Sequence, residues 1–101
     1  MFKYWSLKKY GTKLLPYLES FYGQRSFYSA SEIRTVVYKK DFNPHYLPLG
    51  YILFLDPKEL PQTIHEEFPS LNLVEFKQDI LSYLDKKSYQ GYLQVLNQVV
   101  A

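Results

Sequence analysis

Apolar residues recur at intervals of three and four positions through most of the chain, the spacing of helices that turn one face toward a core. At the start of the chain they are Tyr4, Leu7, Tyr10, Leu14, Leu18 and Phe21. Gly11 interrupts this stretch, so we expect it to end a short first helix and Thr12 to cap a second helix over 13–22. Pro16 then lies near a first turn, where the loss of an N–H costs least. Gly23 is a natural end for the second helix.

The same four-residue signature marks three further helix starts. It places a capping side chain three positions before a glutamate, at Ser29–Glu32, Asp56–Glu59 and Asn72–Glu75. The capping side chain accepts a hydrogen bond from a free backbone N–H, and the glutamate reaches back to the cap residue. Each box is flanked by an apolar pair at the spacing of a hydrophobic staple: Tyr28 with Ile33, Leu55 with Leu60, and Leu71 with Phe76. We therefore predict a helix at each box, the first of them running to Lys40.

Two more apolar stripes follow toward the end of the chain. They are Leu73, Phe76, Ile80 and Leu84, and then Tyr89, Leu93, Leu96 and Val100. The first stripe predicts the most regular helix of the protein. The short joint at 85–88 predicts that the two helices lie antiparallel.

The middle of the chain is less regular. Asn43 followed by Pro44 predicts another helix start. Segment 46–55 is open to two interpretations, because its composition suits a buried strand while no other strand candidate exists to pair with it; we favour a helix. Pro61 predicts that the Asp56 start is a short turn followed by a helix over 61–67. Together these elements predict an all-α protein, a compact irregular or orthogonal bundle of five to six short helices in one domain over 1–101.

Composition excludes several classes of protein. The chain has no cysteine, which excludes a disulfide framework, a zinc–thiolate site, an iron–sulfur cluster and a cysteine nucleophile. Small secreted domains usually need disulfides, so the absence of cysteine favours an intracellular protein, and we expect a cytoplasmic one. No apolar run approaches the roughly twenty residues of a membrane span, so we expect no transmembrane segment.

No spacing of polar residues predicts a catalytic, cofactor-binding or metal site. The two histidines are His45 and His65, and His65 lacks a second histidine four positions away, as a zinc-protease helix requires. Glu66 and Glu67 are adjacent, so we expect their side chains to diverge on a solvated helix face. We therefore predict no catalytic residue, no cofactor and no metal. A small enzyme with an unrecognised site is kept as an alternative.

Aromatic residues and charge are distributed unevenly. Nineteen of the 101 residues are aromatic, eleven of them tyrosine, and fourteen lie within the first 54 positions. The net charge is only +2, but residues 1–25 hold five basic groups against one acid, and residues 56–101 hold seven acids against four lysines. Large rings that fill a small core are the ordinary explanation for the aromatic residues; an aromatic contact surface is the alternative.

The aromatic and basic residues near the start of the chain are the best candidates for binding a partner. They are Tyr4, Trp5, Lys8, Lys9 and Tyr10. We predict a non-enzymatic domain that acts by protein–protein contact, including as a homodimer. The same residues could instead dock on acidic helix 73–87 of this chain or of a second copy, or lie on an anionic membrane surface. With only two arginines and an acidic second half, we predict no binding to nucleic acid.

The segment from Phe27 to Arg34, followed by Pro44-His45-Tyr46 and the apolar run to Asp56, resembles a small bacterial family of uncharacterised helical proteins, a domain of unknown function. The resemblance covers about residues 10–60. It implies a small, bacterial, cytoplasmic, all-helical protein with no assigned activity. It assigns no catalytic residue.

Overall fold

The computed structural model describes residues 2–86. Their order is α1 (Phe2–Thr12), α2 (Leu14–Tyr22), α3 (Ala30–Lys39), a 3₁₀ turn (Pro44–Tyr46), α4 (Leu47–Phe54), α5 (Leu60–Glu67) and α6 (Leu73–Lys86). This range holds helices and turns without a β-strand. The prediction of an all-α bundle of short helices is confirmed, and segment 46–55 is helical. The predicted joint at 85–88 and the last helix lie outside the described residues.

The most completely buried helix is α4. None of its residues is exposed, and Leu47–Ile52 are all buried. Pro48 lies in its first turn, where its missing N–H removes no intrahelical hydrogen bond. Gly50 is the point of closest packing, because a Cβ atom there would lie 3.2 Å from Ile33 Cγ2 and 3.3 Å from atoms of Leu14 and Tyr10. Side chains of α1, α2 and α3 thus meet at the backbone of α4.

The predicted helix caps have three different outcomes. At Ser29 the box is complete: the Glu32 N–H donates to Ser29 Oγ at 3.1 Å, and the Ser29 N–H donates to Glu32 Oε1 at 2.9 Å. Asn72 Oδ1 accepts from the N–H of Glu75 at 3.1 Å. Asp56 instead accepts from the N–H of Lys58 at 3.0 Å and closes a turn, since α5 begins only at Leu60. The prediction of a turn before this helix, made from Pro61, is confirmed.

The junction between α1 and α2 differs from the prediction in its details. Gly11 lies inside α1 and does not end it. The hydroxyl of Thr12 donates to the carbonyl of Lys8 at 2.9 Å, so Thr12 completes α1 and does not cap α2. The break falls at Lys13, which precedes α2. Gly23, with a φ of 87°, ends α2 as predicted.

The described helices share one hydrophobic core. Its buried side chains come from α1 to α6 and from the connections between them. Within residues 2–86, every helix is too short or too polar to cross a membrane.

The complete box at α3 can be tested with one substitution and a neighbouring control. Ser29→Ala removes the acceptor for the Glu32 N–H, and we expect it to lower the free energy of unfolding by about 1 kcal/mol. Ser31→Ala, two positions along at an exposed helical site, should change it by less than about 0.5 kcal/mol. Urea unfolding followed by circular dichroism measures both values. Equal effects would contradict the capping role of Ser29.

The close packing at Gly50 predicts a second difference in stability. Gly50→Val adds methyl groups where the neighbouring side chains leave no room, and we expect a loss of about 1–3 kcal/mol. Gly11→Val makes the same change at an exposed helical position, where the helix propensities of glycine and valine differ by only about 0.5 kcal/mol. Thermal and urea unfolding of the two variants should therefore separate clearly. If Gly50→Val is as stable as Gly11→Val, α4 is not packed as described.

Candidate functional site

The candidate residues of α1 divide between its two faces. Tyr10 is fully buried; its hydroxyl donates to the carbonyl of Asn43 at 2.7 Å, and the edge of its ring meets Phe42 with centroids 5.1 Å apart. Tyr10 is therefore a core residue in this structure, with no surface exposed to a partner. The helical spacing that includes Leu7 and Tyr10 turns this side of α1 into the core.

Lys9 holds α1 against the end of α3. Its ammonium group donates to the carbonyls of Lys40 at 2.8 Å and Asp41 at 3.2 Å, and lies 4.5 Å from the centroid of the Phe42 ring. The last carbonyls of a helix lack intrahelical partners, and a cation satisfies them well. Asp41, with a φ of 57°, turns the chain at this point. Lys9 thus connects α1 with the end of α3, and its ammonium is already engaged within the protein.

Trp5 and Lys8 lie on the outward side of α1. Trp5 is 59% exposed, and its ring meets the ring of half-buried Tyr4 edge-on with centroids 5.4 Å apart. The Lys8 ammonium lies 5.3 Å from the centroid of Trp5 and 5.9 Å from that of Tyr4. A cation at such a distance is attracted to the face of an aromatic ring. The indole is therefore presented to solvent with a positive charge beside it.

A shallow cleft of about 630 Å³ opens beside Trp5, and we call it the Trp5 cleft. It is lined by Trp5, Lys8, Lys9, Thr12, Lys13 and Tyr17. In the part of the chain that the structure describes, the ion pairs are Arg25–Glu32 and Arg34–Glu67, so the lysines of the cleft are paired with no carboxylate. The alternative in which these lysines dock on helix 73–87 of the same chain is not seen at Glu75 or Asp79, which form no ion pair with them. The ammonium of Lys3 does contact that helix, 4.6 Å from the centroid of the Tyr83 ring.

A polar cluster that no spacing in the sequence predicted joins three helices. The Arg34 guanidinium donates to Glu67 Oε2 at 2.5 Å and to the hydroxyl of Tyr51 at 3.3 Å. That hydroxyl in turn donates to the other oxygen of Glu67. Arg34 is on α3, Tyr51 on α4 and Glu67 on α5, so the cluster fixes these helices relative to one another. The prediction that both glutamates are solvated is wrong for Glu67; Glu66 is exposed and accepts from Gln62 at 2.8 Å.

The histidines stand apart from both polar groups. His45 and His65 are exposed, and neither lines the Trp5 cleft. A second, more open depression lies beside Arg34, and it is lined by Arg34, Tyr38, Leu47, Glu66, Glu67 and Phe68, again without a histidine. Among the described residues, no three side chains of histidine, cysteine, aspartate or glutamate come together in a way that could hold a metal ion.

Burial changes the acid strength of two core tyrosines. It raises the pKa of Tyr51 well above that of free tyrosine, and the hydrogen bond to Glu67 raises it further. Burial likewise raises the pKa of Tyr10. Both phenols are therefore neutral in the folded protein at a pH where they would ionise in the unfolded chain.

Alkaline unfolding tests this difference. A pKa that folding raises contributes stability that is complete below about pH 10 and is lost above it, at about 1.4 kcal/mol per pH unit for each group. Tyr10→Phe and Tyr51→Phe should each weaken the pH dependence above pH 10 relative to the unchanged protein. Urea unfolding between about pH 8 and 11 measures the slopes. Slopes in both variants equal to that of the unchanged protein would contradict the assignment.

Comparison with known proteins places the chain in a family. Residues 1–98 match the model of a family of unknown function, DUF6559. A search of curated proteins and a search of solved structures returned no match. The match extends beyond the segment 10–60 that suggested an uncharacterised family, and that expectation is confirmed. The chain belongs to DUF6559, a family of unknown function.

Proposed function

We propose that this protein is a non-enzymatic binding module whose Trp5 cleft docks on an acidic surface of a partner protein. The observation that carries the proposal is the exposed indole of Trp5, which lies beside the Lys8 ammonium and a cleft whose lysines form no ion pair with a carboxylate among the described residues. Tryptophan supplies a large apolar area with little loss of conformational freedom, and is enriched among the residues that dominate interface energies. The lysines select for negative charge around that contact.

The shape of the site favours a protein over a membrane surface. An interfacial helix buries a broad apolar face in the lipid, but the apolar residues Leu7 and Tyr10 of α1 are turned into the core. Trp5 is the large exposed ring of this helix among residues 3–12. The site beside it is concave, whereas a bilayer presents a flat surface. A projecting acidic segment of a protein fits such a cleft better.

The charges also narrow the choice of partner. A symmetric homodimer through this face would bring the same patch of two copies together, and so would oppose Lys8 and Lys13 to the like charges of the second copy. Nucleic acid is disfavoured because both arginines of the chain already pair with glutamates, Arg25 with Glu32 and Arg34 with Glu67. A different protein with an acidic surface would bring opposite charge to Lys8 and Lys13, and its recognition would not require an unpaired arginine.

The remaining polar groups support the non-enzymatic part of the proposal. Glu32 is engaged by Ser29 and Arg25, and its pKa is lowered by the backbone hydrogen bond from Ser29 and the hydrogen bond from Arg25. Glu67 is engaged by Arg34 and Tyr51. Glu67 does border a depression beside Arg34, but both of its oxygens already accept hydrogen bonds, so neither is free to act as a general base. The lack of cysteine suits the cytoplasm of a bacterial cell, where the module is proposed to act.

Affinity measurements on a captured partner test the proposal. A protein retained by the immobilised chain is purified, and its affinity is measured for the unchanged protein, for Trp5→Ala and for Lys8→Glu/Lys13→Glu. We expect each variant to bind at least about tenfold more weakly, a loss of about 1.4 kcal/mol. Lys58→Glu, which reverses a charge outside the cleft, should bind as the unchanged protein does. A partner that binds all variants equally would overturn the proposal.

A further inference from the structure

The surface beside Trp5 continues beyond the cleft onto α2 and the end of α3. Tyr17, which lines the cleft, also lies under the ammonium of Lys40, 5.0 Å from its ring centroid. The same ammonium is 5.6 Å from the centroid of Phe21, and the Lys39 ammonium is 5.7 Å from it. Phe21 is 38% exposed. Tyr17 therefore joins the Trp5 cleft to a second patch formed by Phe21, Lys39 and Lys40.

The two parts together form one strip of aromatic rings with lysine side chains beside them. We call it the aromatic–lysine strip, and its residues are Trp5, Lys8, Lys13, Tyr17, Lys40, Phe21 and Lys39. The acids nearest to it in sequence are Glu19 and Asp41, and neither forms an ion pair with these lysines. Lys9 is not part of the strip, because its ammonium donates to the carbonyls of Lys40 and Asp41. Both ends of the strip thus combine an exposed ring with lysines that form no ion pair within residues 2–86.

Energetics favour a partner that uses both ends. A single exposed ion pair contributes only about 0.2–1 kcal/mol, so Lys8 and Lys13 alone would hold an acidic side chain weakly. A chain that reaches the second patch gains further charge contacts and a second aromatic contact without a second loss of translational freedom. The ammonium groups are compact charges on flexible stems, and they accept carboxylates in many orientations. The strip therefore suits an extended segment with carboxylates at intervals.

We infer that the aromatic–lysine strip binds one extended acidic segment of the partner protein. Apolar side chains of the segment contact Trp5 at one end and Phe21 at the other. Its carboxylates lie against Lys8 and Lys13, and against Lys39 and Lys40. The inference rests on the proposed function and adds the form of the partner, a continuous acidic peptide that spans α1, α2 and the end of α3.

Trp5 makes a direct test feasible, because it is the single tryptophan of the chain and reports occupancy of the cleft by its fluorescence. The probes are two synthetic peptides of alternating Glu and Leu, one of about twelve residues and one of half that length, in about 0.15 M salt. We expect the affinity for the long peptide to fall about five- to tenfold in the double variant Lys39→Glu/Lys40→Glu, and by a similar factor in Phe21→Ala. Both variants should bind the short peptide as the unchanged protein does. Lys58→Glu should leave the affinities for both peptides unchanged. Circular dichroism confirms that each variant is folded.

The outcomes separate this inference from the proposed function. One outcome is that Lys8→Glu/Lys13→Glu weakens binding of the long peptide while the changes at Phe21, Lys39 and Lys40 do not. Binding along the whole strip is then refuted, and the proposed function of the Trp5 cleft is retained. If neither peptide shifts the Trp5 emission at about 1 mM, while anionic vesicles or a single-stranded oligonucleotide do, both the strip and the acidic protein partner are refuted. The inference is supported if Lys39→Glu/Lys40→Glu and Phe21→Ala both weaken binding of the long peptide and leave binding of the short peptide unchanged.

Discussion

Burial of α4 on every side is the constraint on which the arrangement of the other helices depends. A helix with a polar face can lie at a surface, but a helix without one must be surrounded. None of the residues Leu47–Phe54 is exposed, and Gly50 lets atoms of Tyr10, Leu14 and Ile33 approach its backbone. The first three helices therefore meet around α4. The sides of these helices that do not pack on α4 remain at the surface, and they carry the aromatic–lysine strip.

Tyrosine solves a particular problem in a bundle of short helices. Few positions point inward, so large side chains fill the core efficiently, yet each phenol must find a hydrogen-bond partner when it is buried. Tyr10 and Tyr28 donate to the carbonyls of Asn43 at 2.7 Å and Gly23 at 2.6 Å. Tyr51 bonds to Glu67 and Arg34. These hydroxyls tie helices to the loops and helices beside them, so part of the aromatic excess is explained by the core.

The sequence predicts what is decided locally. The Ser29 box, the Gly23 helix end and the proline-limited start near Pro61 each depend on neighbouring residues, and each is found in the structure. Which aromatic residues of α1 are buried depends on where α4 lies, so spacing alone did not separate Tyr10 from Trp5. The Arg34–Tyr51–Glu67 cluster joins residues 16 to 33 positions apart. No local pattern indicates such a pairing.

Lys8 and Lys9 show how one helix serves two purposes. They are adjacent in sequence, but the rotation of about 100° between neighbouring helical residues separates their side chains. Lys9 is held by the last carbonyls of α3, while Lys8 stands beside Trp5 on the outer side. The contact of Lys9 also fixes the end of α3, which bears Lys39 and Lys40. The same interaction that docks α1 on the core therefore sets the distance between the two ends of the aromatic–lysine strip, and a rigid spacing of that kind lowers the ordering cost of binding an extended partner.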